Sequence, residues 1–432
     1  MLIEFNVENY LCFKDRVTLS MVASSNTENE ENTFKSPGFP GRLLKSCVIY
    51  GANASGKSNL LKAMGFMGKY VLYSSKESQA TEEIPVTPFR LSEGAYNKPS
   101  AFEMSFILGE TRYRYGFELD REKVHSEWLY YVPTSKETKL FIREGNHIEY
   151  NKTRFREGKG LGEKTRENAL FLSVCAQFNG EISQKIIKWF SRFNVISSLS
   201  PEQLAPITLR LMKNEKYENE IAELMKIADL GIENIHTEHK EIDVEIFPFL
   251  KPIIKDFAKK AGDIVSEDEI KVTNEIIETY THHKRYNKDN ESLSIETFNL
   301  DDESEGTKKL FYLSGPILDT MHKGQIVAVD ELDTSLHPII VQEIIRLFNS
   351  YENKKNAQLI FNTHNTTLLS KKLFRRDQVW FVEKDMYGSS DLYSLAEYRV
   401  RKDASFEKDY IHGKYGAIPF VGDFRRLTGD MD

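Results

Sequence analysis

The clearest chemistry in the chain lies in eight consecutive residues, Gly51-Ala52-Asn53-Ala54-Ser55-Gly56-Lys57-Ser58. Two glycines separated by four residues, then Lys and Ser, fit the phosphate-binding loop pattern. Glycines let the backbone turn so that successive N–H groups, with a helix N-terminus, face an anionic phosphate. Lys57 is placed to reach the terminal phosphates of a nucleotide, and the Ser58 hydroxyl to ligate Mg²⁺. Gly51, Asn53, Ser55, Gly56, Lys57 and Ser58 are the expected nucleotide-contacting set.

A second group follows in the last third. Gln325-Ile326-Val327-Ala328-Val329-Asp330-Glu331 is an apolar run ending in two acids. A strand buried on both faces explains the run. Its acids then emerge at the carboxyl end, where ligands bind in open α/β sheets. Asp330 suits the Mg²⁺ shell and Glu331 suits a general base that polarises the attacking water. A buried strand ending in a solvated acidic turn has the same local pattern, and the phosphate loop elsewhere in the chain decides against it. Leu359–Thr363 is another apolar strand, and His364 at its end could contact the terminal phosphate or the water. By itself it reads as a strand-end cap. Ser304-Glu305-Gly306 opens a helix over Lys308–Leu313, offering N–H groups, a hydroxyl and a glycine for close approach to an anion. Alone it reads as helix capping.

These residues need elements to position them. Cys47–Tyr50 reads as a short buried strand entering the loop and Asn59–Met64 as the helix leaving it. Ile3, Phe5 and Val7 alternate with polar residues, the period of a half-buried strand, with a return strand expected over Arg16–Val22. Asn26–Gly41 reads as a mobile surface loop. Phe102–Leu108 and Tyr113–Leu119 alternate about Gly109-Glu110, a β-hairpin signature. Val124–Val132 and Leu140–Glu149 read as further strands of that antiparallel sheet. Asn151–Gly162 is a polar loop. From Glu167 to about Ala261 the spacing is helical, in Ile182–Phe193, Pro201–Met212, Tyr217–Leu230 and Phe247–Ala261, without the sustained heptads of a coiled coil. Ile270–Thr281 suggests a strand, followed by a cationic turn over His283–Lys288. His236, His239, His282 and His283 lack a supporting cluster of metal-ligand type and read as solvated side chains.

Composition bounds the possibilities. The chain has 432 residues, 40% hydrophobic and 28% charged, ordinary for a globular protein. A net charge of −7 gives no global attraction to nucleic acid or anionic membrane. Cys12, Cys47 and Cys175 suit neither a disulfide framework nor a zinc site, which points to a reducing cytoplasm. Glu4 and Glu8 stand where a signal peptide would be basic and apolar, and no run approaches the ~20 apolar residues of a membrane span. A guanine-reading Asn-Lys-x-Asp is missing, so adenine is the expected base.

The order of these motifs resembles the ATP-binding cassette ATPases, in particular the branch that holds the SMC and RecF proteins. Gly51–Ser58 is similar to Walker A, Ser304–Gly306 to the signature motif, Ile326–Glu331 to Walker B, Asp333 to the D-loop residue and His364 to the switch histidine. Within that branch, Phe5–Asp15, Asp333–Pro338 and Tyr410–Pro419 resemble the restriction- and defence-linked ATPases of RloA type and the PARIS ATPase subunit. The signature has Glu303 where transporters usually have Leu. No Q-loop glutamine is placed; Gln79 and Gln177 are candidates by type, and Thr87–Leu91 by position.

The resemblance implies an α/β P-loop ATPase head carrying an antiparallel β subdomain and a helical lobe inserted between Walker A and the signature. The expected parts are an N-terminal lobe (1–166), an inserted helical lobe (167–290) and a C-terminal lobe (291–432). It further implies ATP and Mg²⁺ as ligands, catalysis by Glu331 and His364, and a homodimer or higher assembly with ATP held between subunits. Ser304, Gly306 and Asp333 would serve the shared pocket. The expected role is an ATPase that senses or gates a separate effector, a Toprim or RloB-like nuclease, in anti-phage defence, with no membrane partner. Leu373–Asp432 is too short for a Toprim domain of its own. The alternative is a RecF-like DNA clamp, whose basic footprint would fall on Arg143–Arg166, with Lys152, Arg154, Arg156 and Lys159 around Phe155, or on His282–Lys288. Glu144, Glu149, Glu157 and Glu163 dilute the first stripe, which favours a solvated face.

Overall fold

The chain opens with β1 (Leu2–Glu8) and β2 (Val17–Ser20), paired antiparallel with Phe5 opposite Leu19. Ile3, Phe5 and Val7 are buried, as their alternation predicts. The computed structural model describes residues 1–77, 79, 81–133, 135–196, 204–228, 231–242, 274–401 and 404–419. The segment read as a mobile loop over Asn26–Gly41 is instead structured. Glu30–Asn32 forms one helical turn, and β3 (Thr33–Lys35) pairs with β4 (Arg42–Leu44). Buried Arg375 explains why it is held. Its guanidinium pairs with Asp377 at 2.8 Å and donates to the carbonyls of Glu28 at 2.5 Å and Ser24 at 3.3 Å. Asp377 in turn accepts the Ser24 N–H and hydroxyl, each at 2.7 Å. A buried ion pair whose remaining lone pairs and protons are satisfied this way fixes the backbone it contacts.

The chain packs as two compact units, Met1–Leu199 with Asp319–Asp432, and Ser200–Leu318. In the first unit, β5 (Ser46–Tyr50) is wholly buried and leads into α1 (Lys57–Tyr73). Then come β6 (Ser100–Leu108), β7 (Thr111–Leu119), β8 (Val124–Val132), β9 (Thr138–Glu144) and β10 (His147–Tyr150). The strand expected over Leu140–Glu149 is two strands, because Gly145 adopts a left-handed φ of 57° and turns the chain back. These strands form one antiparallel sheet in the order β10-β9-β8-β7-β6-β1-β2. The N-terminal hairpin therefore joins a sheet whose other strands begin about a hundred residues later, which local alternation cannot reveal.

α2 (Phe171–Gln177) and α3 (Glu181–Phe190) follow, each begun by a buried or half-buried acid from elsewhere. Glu127 accepts the N–H groups of Phe171 and Leu172 at 2.6 and 3.0 Å, and Glu157 those of Ile182 and Ser183 at 2.9 and 2.8 Å. A carboxylate satisfies the orphan donors of a first helical turn and opposes the helix dipole.

The second sheet positions the chemistry. Its order is β11-β15-β16-β5-β17-β18, with β11 (Phe193–Ile196), β15 (Ile326–Val329), β16 (Gln358–Asn362), β17 (Val379–Lys384) and β18 (Ser390–Ser394). All neighbours are parallel except β17 and β18. β5 is flanked by β16 and β17, so the carboxyl ends of β5, β15, β16 and β17 open on one edge, where an open α/β sheet binds ligands. The topology is the α/β P-loop architecture expected. The C-terminal segment through α8 (Phe406–Ile411) packs on this sheet. Tyr410 stacks on Phe381 at 5.3 Å, and Tyr393 donates to the carbonyl of Tyr415 at 2.8 Å. Tyr410–Pro419 is thus packing against the nucleotide lobe.

The second unit is less helical than the lobe expected. It holds α4 (Ala205–Met212) and α5 (Glu215–Ile227), then a three-stranded antiparallel sheet of β12 (Ile232–Ile242), β13 (Asn274–Tyr286) and β14 (Ser292–Asn299), then α6 (Glu305–Lys323), whose last turns lie in the first unit. The strand expected over Ile270–Thr281 overlaps β13 of this inserted sheet. The cationic turn expected at His283–Lys288 is strand as far as Tyr286, and the reversal falls on Asn287–Asn290. The helix expected at Phe247–Ala261 lies outside the described residues. Gly315 lets α4 lie close against α6, since a Cβ there would stand 2.5 Å from the Thr208 hydroxyl. No helix among the described residues is long and apolar enough to cross a membrane.

Candidate nucleotide site

The phosphate loop lies between β5 and α1 and is closely bracketed. A Cβ on Gly51 would stand 2.4 Å from the carbonyl of Val382, and one on Gly56 would stand 2.6 Å from the Cys12 sulfur. Ser390 donates to the carbonyl of Ser55 at 2.5 Å. Gly56 precedes α1 with a φ of 119°, and no side chain caps the helix. Its first N–H groups therefore remain available to an anion. Ala54 has a left-handed φ of 60°, which costs a residue bearing a Cβ on the order of 1 kcal/mol. The Ser55 hydroxyl is buried without a hydrogen-bond partner. A phosphate oxygen would satisfy it, so the loop fits an anionic ligand.

Lys57 is buried and donates to the carbonyls of Gly51 and Ala52 at 2.9 and 3.0 Å. Burial lowers its pKa to about 8, against the opposing pull of Glu331, Asp330 and Asp333. Walker B approaches from β15, one strand removed from β5. Asp330 is buried, and its Oδ1 accepts the side-chain amide of Asn362 at 2.5 Å. The Asn362 Oδ1 accepts the backbone N–H of Glu331 at 2.7 Å. Glu331 and Ser335 both have left-handed φ, 48° and 60°, so the turn carrying Glu331 and Asp333 is strained where chemistry is expected. The run ends when Pro338 starts α7 (Pro338–Asn349), capped by His337. His364 follows β16. Burial and the nearby Lys57 lower its pKa, against the pull of Glu331, Asp333 and Asp330.

One cavity of about 710 Å³ gathers these groups, lined by Asn53–Asn59, Glu331, His364 and Lys384. Asn53, Ser55, Gly56, Lys57, Ser58, Glu331 and His364 thus converge from three separate stretches of sequence. Gly51 supplies a carbonyl to Lys57, Asp330 lies behind the lining, and Asp333 acts on Lys57 and His364 through its charge. Ser58 and Asp330 offer the hard oxygen donors that Mg²⁺ takes. Ser304 and Gly306 belong to the second unit. There the Ser304 hydroxyl caps α6, accepting the N–H of Thr307 at 3.2 Å.

The sequence of residues 47–370 matches the family described as "AAA domain, putative AbiEii toxin, Type IV TA system". The chain belongs to this AAA-domain family. No curated protein sequence matches it closely. Among solved structures it is similar to the SMC head domain from Thermotoga maritima, with 14% identity, 91% of this chain and 98% of that one covered, and a TM-score of 0.40. An SmcHead bound to the C-winged helix domain of ScpA gives 12% identity, 95% and 99% coverage and a TM-score of 0.43. An Smc head with an extended coiled coil, bound to the C-terminal domain of ScpA derived from Pyrococcus furiosus, gives 11%, 96%, 98% and 0.41.

Two residues of this AAA-domain chain join the site without having been singled out in the sequence. Asn362 ends an apolar strand, and a polar residue there beside a Walker B strand was the available signal. Lys384 follows the apolar run Val379–Val382, and only the parallel pairing of β17 with β5 brings it to the phosphate loop. The cavity lining contains neither Gln79 nor Gln177. Thr87–Leu91 packs against the turn after β1, where Thr87 accepts the N–H of Leu11 at 2.9 Å.

Proposed function

We propose that the chain is an ABC-type ATPase that converts ATP and water to ADP and phosphate in a pocket shared between two copies. The observation that carries this is the single cavity in which the phosphate loop meets Glu331 and His364. Loop N–H groups and the start of α1 hold the phosphates, and Lys57 exchanges the carbonyls of Gly51 and Ala52 for phosphate oxygens. Glu331 takes the proton of the attacking water as general base. His364 orients the terminal phosphate. Ser58 and Asp330 would hold Mg²⁺, which when bound would neutralise charge on the phosphates. Ser304, Gly306 and Asp333 complete the pocket of the other copy, so binding joins two subunits and hydrolysis releases them. That cycle gates a separate effector, a nuclease in anti-phage defence. The toxin–antitoxin setting in the family's description agrees with such a role.

The test is Glu331→Gln. Binding groups remain while water activation is lost, so ATP binding persists and turnover falls by about 10²–10⁴. Dimer accumulates by light scattering with ATP. Rapid turnover in that variant would remove Glu331 from the base role.

A second reading, a DNA-binding clamp, draws on the loop after β10. Arg143 is buried and Phe155 is buried, so neither belongs to a binding stripe. Glu157, however, is turned toward the N-terminus of α3, leaving Lys152, Arg154, Arg156 and Lys159 exposed and less diluted by acids than their sequence suggests. Salt-dependent DNA binding that vanishes when Lys152, Arg154 and Arg156 are neutralised would favour the clamp.

A further inference from the structure

The three of the four histidines whose side chains are described, His236, His282 and His283, are half-buried and make polar contacts. His236 Nδ1 and His282 Nε2 lie 2.8 Å apart on one face of the β12–β13 pair. On the opposite face, Thr281 and His283, two residues apart along β13, both reach one carboxylate oxygen of Glu303. Thr281 donates its hydroxyl at 2.5 Å, and His283 Nε2 lies at 2.7 Å. The ring of Phe298, from β14, meets His283 edge-on at 5.1 Å. The Glu303 side chain is only 14% exposed.

Glu303 is the residue immediately before Ser304. Its backbone is extended, with φ −77° and ψ 163°, and α6 begins two residues later at Glu305. The Ser304 hydroxyl already caps α6 through Thr307, so the helix start does not need Glu303 to exist. What the Glu303 carboxylate adds is a fixed place for that start. Two donors on one anionic oxygen, in a mostly buried setting, make a stronger tether than neutral hydrogen bonds.

We propose that Glu303 is a positioning residue, tying the Ser304–Gly306 turn to β13 so that the signature serine is presented to the nucleotide of the other copy. This rests on the shared-pocket reading above. The inserted three-stranded sheet is then the part that sets where the signature stands. Removing the Glu303 carboxylate leaves α6 formed and the phosphate loop untouched, yet slows the step that needs Ser304.

The experiment uses the full chain in homogeneous and mixed assemblies. Glu303→Ala lowers kcat at least about tenfold while ATP binding to the dilute subunit stays within about twofold, the pattern of a lost transition-state interaction. Glu303→Gln, which keeps an acceptor oxygen, gives an intermediate rate, and all variants are compared by thermal melting. Each is then co-expressed with Lys57→Ala. A mixed dimer keeps one intact pocket, formed by the phosphate loop of one copy and the signature of the other, so an equal mixture recovers about a quarter of the wild-type rate by symmetry. The same pairing is made with Ser304→Ala. Recovery in both pairings supports the tether. Recovery with Ser304→Ala but not with Glu303→Ala overturns it and leaves the shared pocket standing. Recovery in neither overturns the shared pocket and the tether with it. A Glu303→Ala rate within twofold of wild type also overturns the tether.

Discussion

Asn362 holds Asp330 from the neighbouring strand, with Nδ2 2.5 Å from Oδ1, and with its own Oδ1 it accepts the N–H of Glu331. One amide thus orients the buried carboxylate and the strained backbone of the residue beside it. Asn362→Ala leaves both groups without their partner, and a buried unsatisfied polar group costs about 1–3 kcal/mol. The expected outcome is a drop in kcat of about tenfold or more, with a lowered melting temperature. Asn362→Asp is worse, because a second carboxylate beside Asp330 disfavours ionisation of one of them. Steady-state ATPase assays and thermal melts on the two variants check this.

Lys57 supplies a pH dependence. Its folded pKa is lowered to about 8, chiefly by burial, so above that pH the nucleotide-free protein holds Lys57 neutral. A bound triphosphate favours the ammonium, so binding takes up a proton above pH 8 and ATP affinity declines as pH rises. Below pH 8 Lys57 is already charged and affinity is flat with respect to this group. Calorimetry in buffers of different ionisation enthalpy should find proton uptake by Lys57 above pH 8 and little at pH 7. The extra uptake disappears in Lys57→Ala.

Lys384 lines the cavity from the end of β17 and is exposed. Its attraction to a polyphosphate is therefore screened by salt. Lys384→Ala weakens ATP binding by several-fold at low ionic strength, and the difference shrinks at high salt. Lys384→Glu weakens it further. Equilibrium binding at two salt concentrations separates this long-range effect from a direct contact, whose loss would persist at high salt.

Glu127 is a stability site away from the chemistry. It is fully buried, accepts the Tyr115 hydroxyl at 2.9 Å and two N–H groups of α2, and lies 3.9 Å from buried Arg143. Burial raises its pKa, and Arg143 together with these donors pulls the other way. Glu127→Ala strands the Arg143 charge and uncaps α2, costing about 3–5 kcal/mol. Urea unfolding followed by circular dichroism measures the loss, and Glu127→Gln should cost less because it keeps an acceptor for α2.

The contiguous parts of the candidate site were legible in the sequence. The phosphate loop from Gly51 to Ser58 needs its glycines, lysine and serine at fixed spacing because one backbone turn must wrap one phosphate. Walker B showed itself because β15 is buried on both faces and its acids follow directly. The hairpin of β6 and β7 was visible because its period of two is short-range. Of the inserted sheet, β13 was anticipated in part by the strand expected over Ile270–Thr281, whereas β12 was not, since Glu233, Asn234, His236 and Glu238 leave it little apolar alternation. Nor was the place of β1, whose partner β6 begins some ninety residues on. Tertiary structure alone decided that Asn362 meets Asp330, that Lys384 joins Gly56 and Lys57 at one cavity, that Glu157 turns inward, and that Glu303 is held by Thr281 and His283. Each of those meetings depends on which strands lie side by side, and strand order is set by burial summed over the whole sheet, not by any local run of residues.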